Sequence, residues 1–338
     1  MNTDKIKKIF KAATSSSKIQ EGVLLIQHGA GDFSFCKEYN RTADTPMLMA
    51  SITKLFTTAC ILAMVQEGKL SLLDKIASYL SDEIINGLHI FKGKEYSHEL
   101  TIASLLFQTS GLPDYYIKGD IFSKVKQADF PFTFEQELSW TKAMKPIFPP
   151  NTGKKAYYSD VNFDLLGKII ENKLDCSLHQ AFETYIFEPL ALTKTYLAST
   201  SNHFVPHTYY QGSPLERPLF IRSCFASGGA VTTARELMTF LKAFYNGMLF
   251  DKKSFSQPEK SNPLQMSYYP ICYAGGYMTI AASMPFQKKV QLVGHSGSTG
   301  SFAFYLPQKD LYLVGDLAQI DSPALAVRLA MKTALALY

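Results

Sequence analysis

The sequence predicts an α/β protein of the α+β type, in which helices flank one antiparallel sheet and a mostly helical lobe is inserted in the middle. Strand-like segments lie near both ends of the 338-residue chain, whereas the region between them has the apolar spacing of helices. Hydrophobic residues make up 46% of the chain and charged residues 19%. This is enough apolar surface to build a core, and it excludes a disordered chain.

The predicted N-terminal elements are a helix, two strands and a second helix. Residues 3–14 have the spacing of an amphipathic helix, and residues 22–28 and 32–39 predict two strands joined by a glycine-containing turn. Residues 51–68 predict a helix, because their apolar residues recur at helical spacing and Gly68 supplies a stop signal.

The rest of the chain changes from helices to strands. Between residues 70 and 205, prolines punctuate a mostly helical pattern, with helices expected over 161–173 and 178–186. A further helix follows Ala230. The C-terminal part predicts short strands over 277–282, 289–293, 301–306 and 311–317, then a closing helix over 322–338.

This order of elements predicts a discontinuous arrangement of domains. Residues 1–69 and 206–338 are expected to form an α/β sheet domain, and residues 70–205 a mostly helical lobe. No internal repeat or linker divides the chain in any other way.

Charge and composition exclude several functional classes. The chain has 34 Lys and Arg against 29 Asp and Glu, and these basic residues are scattered, so no nucleic-acid partner is expected. The basic group Lys5, Lys7, Lys8 and Lys11 is interpreted as the solvated face of the first helix. No apolar run approaches the ~18 residues of a membrane-spanning helix. No nucleotide-binding or metal-ligand motif indicates a cofactor.

The five cysteines bear on the compartment. They are odd in number, widely spaced and without a Cys-x-x-Cys pair, which favours free thiols in a reducing environment. No apolar stretch typical of a signal peptide follows the first lysines. We therefore expect a cytoplasmic protein, or a periplasmic or extracellular one if an export signal has been removed from the sequence.

The strongest local pattern is Ser51-Ile-Thr-Lys54, at the start of the second predicted helix. Residues three apart on a helix share a face, so Lys54 can take the proton of the Ser51 hydroxyl or polarise another base. The Ser51 amide, near a helix N-terminus, can also point at a developing oxyanion. The spacing alone is weak evidence, because it also occurs at Ser15/Lys18, Ser123/Lys126 and Ser139/Lys142.

Two further sequence patterns strengthen the interpretation of Ser51 and Lys54 as a catalytic pair. Tyr158-Ser-Asp160 is the only Tyr-x-Asn/Asp tripeptide in the chain, and it precedes a predicted helix. His295-Ser-Gly297 is the only His-x-Gly, and it falls at the end of a predicted strand. Taken singly, Tyr158 is also compatible with an ordinary interfacial aromatic and His295 with a hydrogen-bonded histidine at a strand end.

Together, the three patterns resemble the serine β-lactamase and penicillin-binding protein family, in the branch of class C β-lactamases, DD-carboxypeptidases and related esterases. That family carries Ser-x-x-Lys, then Tyr-x-Asn, then Lys/His-Thr/Ser-Gly on a C-terminal strand. The segments 105–114 and 227–233 resemble further family signatures, so the likeness extends from residue 22 to the C-terminus.

The resemblance implies a serine hydrolase that acts through an acyl-enzyme on an amide or ester, as a β-lactamase, esterase or D-amino-acid peptidase does. It implies a small-molecule or peptide-like acyl substrate and no cofactor. The implied site consists of Ser51, Lys54 and Tyr158 as catalytic side chains, the backbone amides of Ser51 and Ser298 as oxyanion hole, and Gln108, Asp160, His295, Ser296 and Gly297 as substrate-binding residues. The oligomeric state does not follow from the sequence.

Two positions depart from the family's most familiar site. Asp160 stands in place of Asn, and His295 in place of Lys, so the site carries less positive charge. We therefore expect neutral or cationic esters and amides to be preferred over penicillins, which carry a carboxylate. Asp160 is also expected to favour the charged form of Lys54 and to move the role of base toward Tyr158.

Other interpretations account less well for these residues. An α/β-hydrolase is excluded, because the near-match at 294–298 lacks its last glycine and no histidine follows His295. A class A β-lactamase would carry Ser-Asp-Asn and Lys-Thr-Gly, and neither tripeptide occurs. One alternative of a different class stays open: a penicillin-binding or sensor protein on the same scaffold, with little or no turnover.

Overall fold

The computed structural model describes residues 3–150, 152, 155–251, 253, 261–282 and 290–337. Its helices are α1 (Thr3–Thr14), α2 (Thr53–Gln66), α3 (Asp82–Ile85), α4 (Ile102–Leu106), α5 (Tyr115–Lys118), α6 (Ile121–Gln127), α7 (Phe134–Lys142), α8 (Val161–Leu174), α9 (Leu178–Phe182), α10 (Pro218–Ser223), α11 (Phe225–Gly228), α12 (Ala234–Asn246) and α13 (Ala324–Ala336). Its strands are β1 (Gly22–His28), β2 (Ser34–Tyr39), β3 (Met47–Leu48), β4 (Ile90–Phe91), β5 (Lys94–Glu95), β6 (Tyr196–Leu197), β7 (Thr208–Tyr210), β8 (Ser213–Leu215), β9 (Ala230–Thr232), β10 (Asn262–Pro263), β11 (Ile271–Tyr273), β12 (Met278–Ala282), β13 (Val290–Ser296), β14 (Ser301–Leu306) and β15 (Leu311–Asp316).

One antiparallel sheet joins the two ends of the chain. Its strand order is β10-β11-β12-β13-β14-β15-β1-β2, so β1 lies between the C-terminal strand β15 and its own hairpin partner β2. Leu25 of β1 lies opposite Val314 on β15 and Cys36 on β2. The sheet of N- and C-terminal strands flanked by helices confirms the predicted fold class.

Both faces of this sheet are covered. Because consecutive side chains of a strand point to opposite faces, Val23 and Leu25 enter one apolar cluster, whereas Leu24 and Ile26 enter the other. The helices α2, α8 and α12 contribute to the first cluster, and α1 and α13 to the second. Burial on both faces explains why β1 is an unbroken apolar run rather than an alternating one.

The helix α2 runs through the core, and its residues from Thr53 to Met64 are buried. It is shorter than the helix predicted over 51–68. Ser51 instead lies in a 3₁₀ turn, Ala50–Ile52, immediately before α2. The reason is that Ala50 adopts the left-handed region, with φ +44°, which an α-helix does not accommodate.

The region between α3 and α9 has the helical character that the sequence predicts. Small strand pairs that were not predicted also occur, among them β4-β5 and the sheet β3-β9-β6. In the latter, β6 of the predicted lobe pairs with β9 of the predicted sheet domain. The proposed domain boundaries stay a prediction.

Some boundaries differ from those predicted. The strand expected over 289–293 is β13, which continues to Ser296, while Lys289 lies outside the described residues. The helix expected over 178–186 is divided into α9 and a π-helical turn, Glu183–Phe187.

Two further findings concern the described ranges alone. Within them, no helix combines the length and the apolar character needed to span a bilayer. Nor do three or more His, Cys, Asp or Glu side chains come together there in an arrangement able to hold a metal ion.

Candidate active site

The turn that carries Ser51 is held in place from two sides. The Met49 amide donates to the carbonyl oxygen of Ala230 at 2.9 Å, and the Ser301 hydroxyl donates to the carbonyl oxygen of Met49 at 3.0 Å. The left-handed φ of Ala50 is unfavourable for a residue with a side chain, so these neighbours stabilise a strained conformation next to Ser51. Ser51 is thereby presented at the wall of a cleft.

Lys54 is completely buried behind Ser51. Its Nζ donates to Ser51 Oγ at 3.4 Å, to Asp160 Oδ1 at 2.6 Å and to the carbonyl oxygen of Ser227 at 2.7 Å. Burial lowers the pKa of Lys54, but the charge and hydrogen bond of Asp160 outweigh burial, and the net shift is upward. Lys54 is therefore a cation, as the sequence leads us to expect.

Tyr158 lies beside this pair. Its ring stacks on Tyr268 with centroids 5.4 Å apart, and Lys54 Nζ lies 5.1 Å from the ring centre. Burial raises the pKa of Tyr158 well above its ordinary value, the charge of Asp160 adds to this, and a hydrogen-bonding contribution from Ser51 opposes it. Among the described residues, none forms a well-aligned hydrogen bond with Tyr158 Oη, although this atom is buried. The phenol is therefore protonated, and its hydroxyl is not committed to a well-aligned partner among the described residues.

Gln108 supports the Tyr158 segment from behind. It is completely buried, its Nε2 donates to the Ser159 carbonyl oxygen at 3.2 Å, and its Oε1 accepts from the Ser159 amide at 3.0 Å. The Tyr157 amide donates to the Gln108 carbonyl oxygen at 2.8 Å. The amide of Gln108 is thus engaged with the backbone of the Tyr158 loop, and its expected contact with a substrate stays a prediction.

His295 is likewise not a cleft residue. It is completely buried, its Nε2 lies 3.3 Å from Tyr273 Oη and its Nδ1 lies 2.8 Å from the Ser296 carbonyl oxygen. Burial, followed by the charge of Lys54, lowers the pKa of His295 to about 3, so the ring is neutral. In the structure His295 contacts the end of β13 and Tyr273 rather than the cleft, and its expected contact with a substrate stays a prediction.

The residues after His295 line the cleft. Ser296, Gly297 and Ser298 line it together with Ser51 and Tyr158. A Cβ at Gly297 would lie 2.6 Å from the carbonyl oxygen of Met49, so only glycine allows this close approach of β13 to the Ser51 turn. The Ser298 amide donates to none of the described residues, which leaves it available to an oxyanion.

Three more acidic side chains surround Asp160. Asp114 Oδ1 accepts from the Asp160 amide at 3.2 Å, and Asp164 Oδ1 accepts from the Ser227 amide at 2.9 Å. Burial first, and the charge of Asp160 second, raise the pKa of both Asp114 and Asp164 to about 7. Burial and the neighbouring Asp164 raise the pKa of Glu137 well above its usual range. Near neutral pH, Glu137 is therefore protonated, and Asp114 and Asp164 each change between the neutral and the charged form.

The cleft in front of Ser51 has a volume of about 540 Å³. Asp114 and Asp160 lie on its wall near Ser51. Much of the remaining lining is apolar or aromatic, including Tyr116, Phe122, Tyr268, Tyr269, Ile271 and Met278. The basic side chain among its described lining residues is Arg328 of α13.

The structure thus brings most of the predicted residues to one place and adds others. Ser51, Asp160 and Tyr158 line the cleft with Ser296 to Ser298, and Lys54 lies directly behind them. Five functional candidates were not predicted from the motifs: Asp114, Asp164, Glu137, Ser227 and Tyr268. Asp164 had a sequence signal, since it follows Asp160 by one helical turn. The roles assigned to the site residues stay predictions.

The fold and the three motifs together define a β-lactamase-type serine hydrolase scaffold. The chain belongs to the Beta-lactamase family, whose profile matches residues 25–337. The family resemblance inferred from the Ser51, Tyr158 and His295 motifs is therefore confirmed.

The chain is also similar in sequence to individual proteins. Protein flp of Staphylococcus aureus (strain N315) is 28% identical over 316 residues, which are 90% of this chain and 59% of flp. The chain thus spans less than two thirds of that relative's length.

Solved structures share the fold. A D-stereospecific amidohydrolase from Streptomyces sp. superposes with a TM-score of 0.80 at 22% identity, covering 98% of each chain. The D-amino acid amidase from Ochrobactrum anthropi SV3 gives a TM-score of 0.79 at 18% identity, covering 98% of this chain and 100% of the amidase.

Proposed function

We propose that this protein is a serine hydrolase that cleaves amides or esters through an acyl-enzyme on Ser51. The observation that carries the proposal is the hydrogen-bonded series Ser51, Lys54 and Asp160 at the wall of a large cleft, with N···O distances of 3.4 and 2.6 Å. A serine hydroxyl needs such a proton path to become a nucleophile. We place the chain in the class C-like branch, because its second motif begins with Tyr158.

The acylation step uses this path. Ser51 Oγ attacks the substrate carbonyl carbon, and its proton passes to Lys54 while Lys54 passes one of its own protons to Asp160. The electron pair of the carbonyl bond moves to oxygen, where the amides of Ser51 and Ser298 stabilise it. One such donor commonly contributes ~3 kcal/mol to the transition state. The net proton acceptor is thus Asp160, rather than Tyr158 as expected from the sequence.

Tyr158 then acts as the general acid. When the tetrahedral species collapses, the bond to the leaving group breaks, and the protonated phenol gives its proton to the departing atom. The proton held by Asp160 returns through Lys54 to the phenolate. Water subsequently attacks the ester on Ser51 and releases the acid, with the proton transfers reversed. The raised pKa keeps Tyr158 in the protonated form, which is the form that can donate a proton to the leaving group.

We further propose substrates that are neutral or that carry an ammonium group near the scissile bond. Asp114 and Asp160 line the cleft close to Ser51, whereas the buried, neutral His295 offers no cation to a substrate carboxylate. The name of the Ochrobactrum D-amino acid amidase agrees with this choice, because a free D-amino acid amide carries an ammonium group. The apolar cleft walls would accept an aromatic or aliphatic side chain.

The test of the nucleophile is intact-protein mass spectrometry after mixing with p-nitrophenyl acetate and, separately, with a penicillin. We expect a Ser51-dependent acetyl adduct or ester turnover that is lost in Ser51→Ala. Ser139→Ala is the matched control, because Ser139 precedes Lys142 with the same spacing on an exposed helix face. Unchanged turnover in Ser51→Ala would overturn the proposal.

The lifetime of the adduct separates a hydrolase from the alternative binding or sensor protein. A hydrolase releases the acyl group within seconds to minutes, whereas a sensor retains it.

The substrate class is tested with D-alanine p-nitroanilide and its N-acetyl derivative. We expect at least a tenfold preference for the free amine. Turnover of penicillin that equals or exceeds that of simple aryl esters would contradict the proposed substrate class.

The compartment stays a prediction. All five cysteines are free thiols, which supports a reducing environment and the cytoplasmic expectation.

A further inference from the structure

A groove of about 390 Å³ lies between the first and last helices, on the far side of α13 from the catalytic machinery. Its floor is apolar and includes the half-buried Ile9 and Ala13 of α1 and Leu325 of α13, with the buried Leu329 beneath them. Both helices turn their larger apolar residues inward to the sheet, so that this shallow strip between them stays accessible. A groove with such a floor accepts aliphatic carbon.

The rims of the groove are basic. They carry Lys5 and Lys8 of α1 and Arg328 and Lys332 of α13, and the groove lining contains no Asp or Glu. Within the part of the chain that the structure describes, Lys8, Arg328 and Lys332 form no ion pair. The acidic residue of α1, Asp4, pairs with Lys7 at 3.0 Å, outside the groove lining. An apolar floor between these cations complements an anionic amphiphile.

The groove and the catalytic cleft share a wall. Arg328 lines both, and the next positions around α13, Val327 and Met331, line the cleft. Ile117 and Tyr269 also line the cleft, and they are exposed by 53% and 78%. Large exposed apolar side chains next to cations are typical of surfaces that lie in a membrane interface.

We propose that the groove between α1 and α13 binds anionic lipid at a bilayer surface and holds the mouth of the cleft against that surface. The headgroup phosphate lies between the cations of the two rims, and the first carbons of the lipid rest on the apolar floor. Tyr269 and Ile117 enter the interface beside it. Docking in this way does not depend on the chemistry at Ser51, so its test is independent of the proposed hydrolase activity.

The experiment is co-sedimentation of the whole chain with vesicles of pure phosphatidylcholine and of phosphatidylcholine containing phosphatidylglycerol. We expect binding to the anionic vesicles alone, weakened by salt. Each cation at an anionic surface contributes about fivefold to partitioning, so Lys8→Gln/Lys332→Gln should lower it by about 25-fold. The matched control Lys37→Gln/Lys173→Gln removes the same charge from exposed sites outside the groove, and should change binding less than threefold.

Further arms identify the ligand. Tyr269→Ser should weaken vesicle binding severalfold without changing the melting temperature, since the side chain is largely exposed. Inorganic phosphate at millimolar concentration should displace little protein from the vesicles. The proposal is overturned if neither vesicle binds, if both bind equally, if the control variant loses as much as the groove variant, or if phosphate competes fully, which would indicate a site for free anions.

Discussion

The change of Asp160 to asparagine tests the proposed proton path most directly. In the native site Lys54 is completely buried, and the Asp160 side chain, 13% exposed, is its ion-pair partner at 2.6 Å. An asparagine here would keep an oxygen that accepts from Lys54 but would remove the charge. Burial already acts to lower the pKa of Lys54, and without the charge of Asp160 it is no longer outweighed. The pKa of Lys54 therefore falls in Asp160→Asn.

The cost to stability follows from the same environment. A fully buried ion pair that loses one partner costs about 3–5 kcal/mol. Asp114 and Asp164 have a pKa of about 7, raised in part by the charge of Asp160, so removing that charge favours their ionisation. The ionised form of one of them then offsets part of the lost attraction, although the pKa of Lys54 still falls. We expect a loss nearer to about 2 kcal/mol, measured by urea unfolding.

The effect on catalysis depends on pH. At pH 6, Lys54 of the variant is still charged and no Asp160 carboxylate accepts its proton, so kcat/KM for a p-nitrophenyl ester should fall about 100-fold, the lower range for a general base. As pH rises, neutral Lys54 forms and takes the Ser51 proton itself, and the deficit should shrink toward pH 9.

The control is Asp175→Asn, an exposed acid at the end of α8, which should leave the profile unchanged. The proton path would be refuted by parallel pH profiles of wild type and Asp160→Asn, or by a variant within threefold of wild type at pH 6.

Three other changes probe separate parts of the site. Tyr158→Phe removes a buried hydroxyl without a well-aligned partner, so turnover should fall at least about 100-fold while the melting temperature holds or rises. Gly297→Ala places Cβ 2.6 Å from a backbone oxygen and should reduce kcat/KM at least tenfold. Gly228→Ala is the control, because the nearest neighbour of its Cβ would lie at 3.4 Å, and it should not reduce kcat/KM in this way. Equal losses in the two variants would contradict the steric argument. The pKa of Glu137 is raised in the native state, whereas in the unfolded chain the group has its ordinary pKa of 4.5. Above pH 4.5 the unfolded chain therefore releases a proton that the native state keeps. The free energy of unfolding falls as the pH rises through this range. Glu137→Gln should remove this dependence, about 1.4 kcal/mol per pH unit, and raise the melting temperature at pH 8; a lower melting temperature at pH 8 would contradict it.

The parts of the site that sequence predicts are those that local chemistry specifies. Ser51 and Lys54 are one helical turn apart, so their spacing alone brings them together. Tyr158 and Asp160 lie just before α8, and Ser296 and Gly297 at the end of β13, because motifs at the ends of regular elements present their side chains at the edge of the fold. The antiparallel sheet was predictable for a similar reason, since strands such as β1 and β15 are continuous buried runs near the two ends of the chain.

The parts that sequence misses depend on packing between distant segments. A Gln and a His within recognised motifs suggest polar contacts with substrate, yet Gln108 and His295 are both buried behind the residues that line the cleft. No feature of the neighbouring sequence distinguishes a side chain that contacts the substrate from one that is buried behind the cleft. The same holds for Asp164, whose partner is the backbone of Ser227, 63 residues away.

The effect of an Asp at position 160, in place of the family's Asn, on the charge of the site depends on the surrounding acidic side chains. Were they all charged, one Lys54 would face four carboxylates, and the repulsion would oppose folding. Burial raises the pKa of Asp114, Asp164 and Glu137, so part of this negative charge is neutralised by protons near neutral pH. A substrate ammonium entering near Asp114 would favour its ionised form, since an added cation lowers a carboxyl pKa. The cleft can therefore supply a negative charge when a cationic substrate arrives, without maintaining an unpaired buried carboxylate in its absence, and this is the physical basis for expecting amines to be preferred.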